Sequence, residues 1–451
     1  MIVGLHPMIK KLLFVFLFVF LSGSSFAQGK FVLQKGSSDK INFKLINNLI
    51  VFPVEINGVE LSFLLDTGVS KPIIFNFLNI NEALKINQAE RIYIRGLGEG
   101  EAIEALKSQN NIFRIGNAIN INQDLYAVFD PSLNFAPRLG VPIHGIIGYD
   151  LFRDFVVEIN YSKTYIRLHA PETYKPKKCK RCRTLDLDFF NNKPYVQVLI
   201  NQGEGNIPVK LLIDSGSSDA LWLFENETRG IHLPEKYFDD FLGRGLSGRV
   251  FGKRSKISDA TIAGYKLKSP NVAYPDSTTI TFATKFKERS GSISGAVLKR
   301  FNLIFNYKNN EVSLKTNRYF SEPFYYNKSG IELEHNGVRV VKERDKSITR
   351  SSFNNSNNQS VAEFGLNLSN NYKYVLADAF TIVELREGSP AQEAGLKVGD
   401  VILKVNNRDA HEYSLQEVTQ MFYGETGKRI RLLVDRNGVQ MKFLFQLRDL
   451  L

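Results

Sequence analysis

The chain has 451 residues, 43% of them apolar and 23% charged, with 58 Lys and Arg against 46 Asp and Glu, a formal charge of +12. At ~150 residues per domain this length predicts about three domains, and the abundance of Phe, Ile, Val and Tyr favours strands. Two Cys and six scattered His leave no second ligand pair for a zinc site, and no basic stripe with interleaved aromatics suggests a nucleic-acid partner.

In residues 1–27, Lys10 and Lys11 precede the apolar run 12–21, and Ser25-Phe26-Ala27 offers small residues at the positions a signal peptidase reads. The run is shorter than the ~20 residues a bilayer span needs. No Cys follows it as a site for a lipid anchor. These features predict a signal peptide and an exported protein, periplasmic or secreted, with no stable membrane insertion after cleavage.

A first lobe is expected over residues 28–170, built of short strands punctuated by Gly, Asn and Pro. Its central feature is Leu64-Leu65-Asp66-Thr67-Gly68, an apolar run ending on Asp, a hydroxyl residue and Gly. Alone, this is an ordinary turn after a strand. It recurs 148 residues later as Leu212-Ile213-Asp214-Ser215-Gly216. The surroundings recur too. Arg95-Gly96-Leu97-Gly98 answers to Arg244-Gly245-Leu246-Ser247, and a constant offset of 146 separates Gly145, Phe155 and Leu168 from Gly291, Phe301 and Leu314. A whole lobe is duplicated.

Two carboxylates facing each other across a pseudo-twofold axis cannot both ionise cheaply, so they share a proton. The ionised one can take a proton from a water held between them, and the protonated one can donate to a carbonyl under attack. Gly68 and Gly216 allow close backbone approach and N–H donation, while Thr67 and Ser215 can tie the loops together. These paired motifs resemble the aspartic peptidases, the family of pepsins and retroviral proteases, over roughly residues 45–318. The resemblance implies Asp66 and Asp214 as catalytic residues, with Thr67, Gly68, Ser215, Gly216 and Ser217 supporting them. It also implies two pseudo-symmetric β-barrel lobes in one chain and no cofactor.

By the same resemblance, Gly96, Leu97 and Gly98 lie where the family carries its flap, and Gly245, Leu246 and Ser247 form a second one. Pepsins have one working flap and retroviral dimers two, so the pattern leans to the retroviral type. A mobile hairpin without a catalytic part is the alternative. Gly145-Ile146-Ile147-Gly148 matches the segment that packs beside the catalytic loop. Its second copy departs, as Gly291-Ser292-Ile293-Ser294-Gly295, which weakens the expected packing there. Position 69 is Val but the equivalent Ser217 carries a hydroxyl, so Ser217 is expected to bond the Asp214 carboxylate and make the dyad asymmetric.

Residues 171–184 read as a basic, solvated linker containing Cys179-Lys-Arg-Cys182, where a local disulfide is plausible and a metal or redox role is not expected. The second lobe is expected over 185–320. A third domain follows over 321–451, with a polar Asn- and Ser-rich insertion at 351–360. There Ser389-Pro390-Ala391-Gln392 begins a short capped helix and Gly395 suits a left-handed stop. Residues 414–423 form an amphipathic helix, and Asn437-Gly438 is a hairpin turn. This region resembles a bacterial PDZ domain, α+β in fold, which adds a peptide as an extra strand. Its peptide-binding candidates are Gly330, Ile331 and Leu333, or Gly365 and Leu366, with Leu415 on the groove helix. A packing module with an unused groove is the alternative.

The combined expectation is a mainly β, monomeric aspartic endopeptidase whose partners are polypeptide substrates and, through the PDZ domain, peptide or protein termini. The rival from another class is a non-catalytic peptide-binding protein that keeps the fold, supported by Ser292 and Ser294.

Overall fold

The computed structural model describes residues 29–75, 84, 89–130, 133–176, 178–344 and 372–451. The segment 1–27, the polar insertion at 351–360 and the pair Gly365-Leu366 lie outside them.

Both halves fold by the same pairing scheme. In the first, strands Leu49–Ile56 and Val59–Leu65 form an antiparallel hairpin. Gly145–Ile147 then lies parallel to the second of them, with Gly145 opposite Phe63 and Ile147 opposite Leu65. In the second half, Lys193–Asn201 and Asn206–Asp214 form the hairpin, and Arg289–Ser294 runs parallel to it, with Gly291 opposite Leu211 and Ile293 opposite Ile213. Each inner strand then pairs antiparallel with a short strand, Ile73–Ile74 or Leu221–Leu223. Runs of consecutive buried apolar residues explain this, because a strand covered on both faces has no solvent side to alternate with. The first lobe builds a nine-stranded sheet and the second a ten-stranded one.

A six-stranded sheet joins the lobes. Ser38–Asn42, Tyr165–His169 and Val156–Asn160 come from the first half; Phe301–Asn306, Glu311–Thr316 and Cys182–Asp186 come from the second. The halves meet where Glu158 pairs antiparallel with Ile304, two residues related by the internal repeat. Phe152 seals the junction, stacked on Tyr307 at 5.2 Å and edge-on to Phe305 at 5.1 Å. The strand Cys182–Asp186 starts inside the segment that reads as a linker, just after a Cys179–Cys182 disulfide.

The third unit is a six-stranded sheet with its own core around Ile331, Phe380, Ile402, Val418 and Ile430. Ser389 caps the helix Pro390–Glu393 by accepting from the Gln392 amide. The Gln392 side chain reaches the Gly388 amide at 2.7 Å and so closes the turn one residue earlier than a capping box would. The helix Leu415–Met421 carries a full capping box between Ser414 and Glu417. Asn437 and Gly438 both take positive φ, at 53° and 85°, as a tight hairpin turn of this type requires.

The connection between the second lobe and this unit is strapped down. Arg300 donates to the carbonyls of Tyr319, Phe320, Glu322 and Pro323 and lies over the Phe324 ring. Asn271 donates to the Tyr325 carbonyl at 2.7 Å.

Candidate active site

Asp66 directly follows the strand Val59–Leu65 and Asp214 ends the equivalent strand Asn206–Asp214, and their loops interlock. The Thr67 amide donates to Ser215 Oγ at 3.0 Å and the Ser215 amide to Thr67 Oγ1 at 3.1 Å. Each hydroxyl donates onward to a carbonyl of the opposite strand, Thr67 to Ile213 at 2.6 Å and Ser215 to Leu65 at 2.8 Å. Both side chains are buried, so four polar groups that are costly to leave unpaired are satisfied only when the lobes meet. Farther out, the contact repeats with the lobes exchanged. Asn48 donates to the Ser218 carbonyl and the Ser70 hydroxyl to the Asn191 carbonyl, both at 2.8 Å. Asn48 and Asn191 sit in the turns Asn47-Asn48 and Asn191-Asn192, whose four φ angles are all positive.

Each carboxylate accepts from the amide two residues on, Gly68 at 2.7 Å and Gly216 at 3.1 Å. Glycine is required at 216, where a Cβ would lie 2.4 Å from the Asp66 carboxyl carbon. A Cβ on Gly68 would be 3.5 Å from Asp214 Oδ1, so each loop approaches the other lobe's carboxylate. Burial, and then the neighbouring Asp214 charge, push the Asp66 carboxyl up to about 7. Burial raises Asp214 as well, but Arg289, Lys193 and the amides of Gly216 and Ser217 oppose the rise. Asp214 is the better-stabilised anion of the two.

The Ser217 effect differs from the sequence expectation. It is the backbone amide of Ser217 that acts to lower Asp214, a group any residue supplies, so the hydroxyl is not what makes the dyad asymmetric. Ser292 and Ser294 pair in register with Leu212 and Asp214, and the register shifts just before them, between Arg289 opposite Lys210 and Gly291 opposite Leu211. Ser292 Oγ accepts from Arg289 at 2.8 Å, while Ser294 Oγ is buried with no hydrogen-bond partner among the described residues.

The two Gly-rich hairpin tips meet over the dyad. The Ser247 amide donates to the Leu97 carbonyl at 2.9 Å, the Gly100 amide to the Ser247 carbonyl at 2.6 Å and the Gly96 amide to Ser247 Oγ at 3.1 Å. Beneath them lies a cavity of about 1200 Å³ bordered by Asp66, Gly216, Leu97 and Leu246. It continues to the third domain, where Glu332, Gln416, Thr419 and Tyr423 line its far wall.

In that domain Ile331, Leu333 and Leu415 belong to the buried core. The helix turns Gln416, Thr419 and Gln420 towards the cavity, and Tyr423 just beyond its end joins them. At Gly330 the loop amides already have acceptors: those of Ser329 and Gly330 donate to Asn327 Oδ1, and that of Ile331 to Ser329 Oγ. Asn327 and Ser329 escape a sequence search because their only signal is a polar pair before a strand. Lys193 and Arg289, which border the same cavity as Asp66, were findable by laying one half of the chain on the other.

No group of three or more His, Cys, Asp or Glu side chains able to hold a metal occurs among the described residues. No curated protein matches the chain. Residues 52–151 match the family model of an aspartyl protease and residues 381–436 that of a PDZ domain, the two kinds of domain, in the same order, that the motifs resemble.

Proposed function

We propose that the chain is an aspartic endopeptidase in which one active site is completed by both lobes of a single, monomeric chain. The reciprocal bonding of Thr67 and Ser215 carries this reading, because it brings the two Asp-bearing loops together at the floor of a cleft. Asp214, the better-stabilised anion, takes a proton from the attacking water. Asp66, held protonated by burial, donates to the peptide carbonyl as its oxygen gains charge. The proton taken by Asp214 then passes to the departing amine as the C–N bond breaks, while Asp66 recovers a proton from a hydroxyl of the collapsing tetrahedral intermediate, so the pair again holds one proton. Gly96–Gly98 and Gly245–Ser247 act as two flaps that exclude water. The PDZ domain positions polypeptide chains or their termini at the far end of the cavity, and the protein works outside the cytoplasm after its signal peptide is removed.

Incubation with a mixed peptide library from acidic to neutral pH, with and without pepstatin, tests the assignment. Pepstatin-sensitive internal cleavage is expected from the wild type and none from Asp66→Asn. Binding of peptides without any cleavage at any pH would favour the non-catalytic reading instead.

A further inference from the structure

The two halves differ at one corner of the site. In the first lobe Leu49 and Ile143 are buried in the same apolar cluster. Counted along the repeat, two residues before the matched residues Val51/Tyr195 and Gly145/Gly291, Lys193 and Arg289 hold their places, with a register shift leaving Arg289 itself opposite Lys210. Val51 faces Leu64 as Tyr195 faces Leu212, and Gly145 faces Phe63 as Gly291 faces Leu211. Two cations stand where the repeat calls for two aliphatic side chains.

Their surroundings do not neutralise them. Arg289 is only 8% exposed, its guanidinium donates to the neutral Gly291 carbonyl and Ser292 hydroxyl, and the carboxylate that acts on it is Asp214 of the dyad. The charges that act on Lys193 are Arg289, which repels it, and the dyad carboxylates Asp66 and Asp214. With one proton shared, the dyad brings one negative charge against these two positive ones. Both cations border the cleft. Beside them is an aromatic wall in which Phe190 stacks on Phe286 at 4.3 Å and Tyr195 meets Phe286 edge-on at 4.9 Å. Buried like charges are costly without an opposite charge in the same space.

We propose that Lys193 and Arg289 form a subsite for an acidic side chain, Asp or Glu, of the peptide lying beside the dyad, an assignment that rests on the peptidase reading above. The peptide carboxylate supplies the missing negative charge. Lys193 offers it a point charge on a flexible stem and Arg289 a fixed planar donor, while the rings cover its methylenes.

The test uses peptide pairs identical except for Glu or Gln at each position flanking a cleaved bond, assayed near pH 6 where Glu is ionised. Wild type is expected to cleave one Glu peptide about tenfold faster in kcat/KM, equivalent to about 1.4 kcal/mol, with the preference shrinking at high salt. Lys193→Leu, the residue of the first lobe, should erase the preference, and Lys193→Glu should turn it towards Lys. Equal rates for Glu and Gln at every position overturn the subsite, as does a preference that survives Lys193→Leu in a folded protein. If Lys193→Leu slows both peptides equally and shifts the pH profile, Lys193 acts only through the dyad and the subsite is overturned. A wild type that cleaves no peptide of any sequence overturns the peptidase reading itself, and the subsite falls with it.

Discussion

Leu97 and Leu246 are exchanged between the lobes. Leu97, at the tip of the first hairpin, packs against the second lobe's cluster of Trp222, Leu242, Val250 and Ile280. Leu246, at the tip of the second, packs against the first lobe's cluster around Val69, Ile73 and Ile146. The tips cross so closely that a Cβ on Gly96 would lie 2.8 Å from the Leu246 Cβ, and one on Gly245 would lie 2.2 Å from the Leu97 carbonyl oxygen. The contact between the two tips is therefore a two-sided latch. On the proposed flap role, Leu97→Ala and Leu246→Ala are each expected to lower kcat/KM about tenfold, since the tips are held together less of the time. Thermal unfolding should shift little because both side chains are only partly buried. Hydrogen exchange at Gly96 and Ser247 gives the direct readout, and unchanged exchange in both variants would rule the latch out.

Asp66→Asn and Asp214→Asn are each expected to reduce turnover on the order of 10⁴-fold while the chain stays folded. One carboxylate cannot both activate water and donate to the carbonyl. Near-wild-type turnover by either folded variant would remove that residue from the catalytic role.

The dyad should also set the pH dependence. Its apparent values belong to the pair, and with Asp66 pushed up to about 7 activity should fall as the shared proton leaves near neutral pH. The stability consequence follows in sign. A carboxyl raised in the folded state from 3.8 to about 7 keeps a proton that the unfolded chain has released, so stability declines as pH rises through this window. Asp66→Asn removes the buried charge and should raise the Tm more at pH 8 than at pH 4. A Tm gain equal at both pH values would contradict the raised value.

Ser217→Ala should leave the acid limb of the pH–activity curve in place, because the amide, not the hydroxyl, acts on Asp214. A clear upward movement of that limb would show that the hydroxyl contributes.

Glu384 of the third domain holds two lobes at once, pairing with Arg249 of the second hairpin and with Arg138 of the first lobe at 3.8 Å. Arg138 also pairs with Glu334 at 2.6 Å. Exposed pairs contribute ~0.2–1 kcal/mol each, and this shared, half-buried group should lie at the upper end. Glu384→Ala is expected to increase hydrogen exchange along Phe238–Gly245 and Gly248–Lys256, the strands of the second hairpin. Exchange there identical to wild type would show that the third domain does not restrain it.

The duplicated motifs made both lobes, the Asp pair and the two hairpins readable from sequence, because repeated strand–Asp–hydroxyl–Gly runs dictate the same local pairing twice. Capping residues and the Asn437-Gly438 turn did the same for the third domain. Three things were hidden. The Ser217 interaction uses an amide that every residue has. The Lys193–Arg289 corner is visible only as a departure from the repeat, at positions 96 residues apart that the fold brings together. The shared cavity depends on how the third domain docks, through Arg138, Glu334, Glu384 and Arg249, and long-range ion pairs leave no periodic trace.

The six-stranded sheet has a consequence for the lobes taken singly. Its two three-stranded halves are arranged alike, and equivalent residues, Glu158 and Ile304, face each other at the join. Such an edge is self-complementary in the way of an isologous dimer contact. Severed from its twin, either lobe would expose one long unpaired border of amides and carbonyls, and the nearest matching template for it in solution would be another copy of itself. The covalent tether acts against this by raising the local concentration of each half about the other. It makes the unlike pairing, one half with the other, outcompete the like pairing that the geometry equally allows.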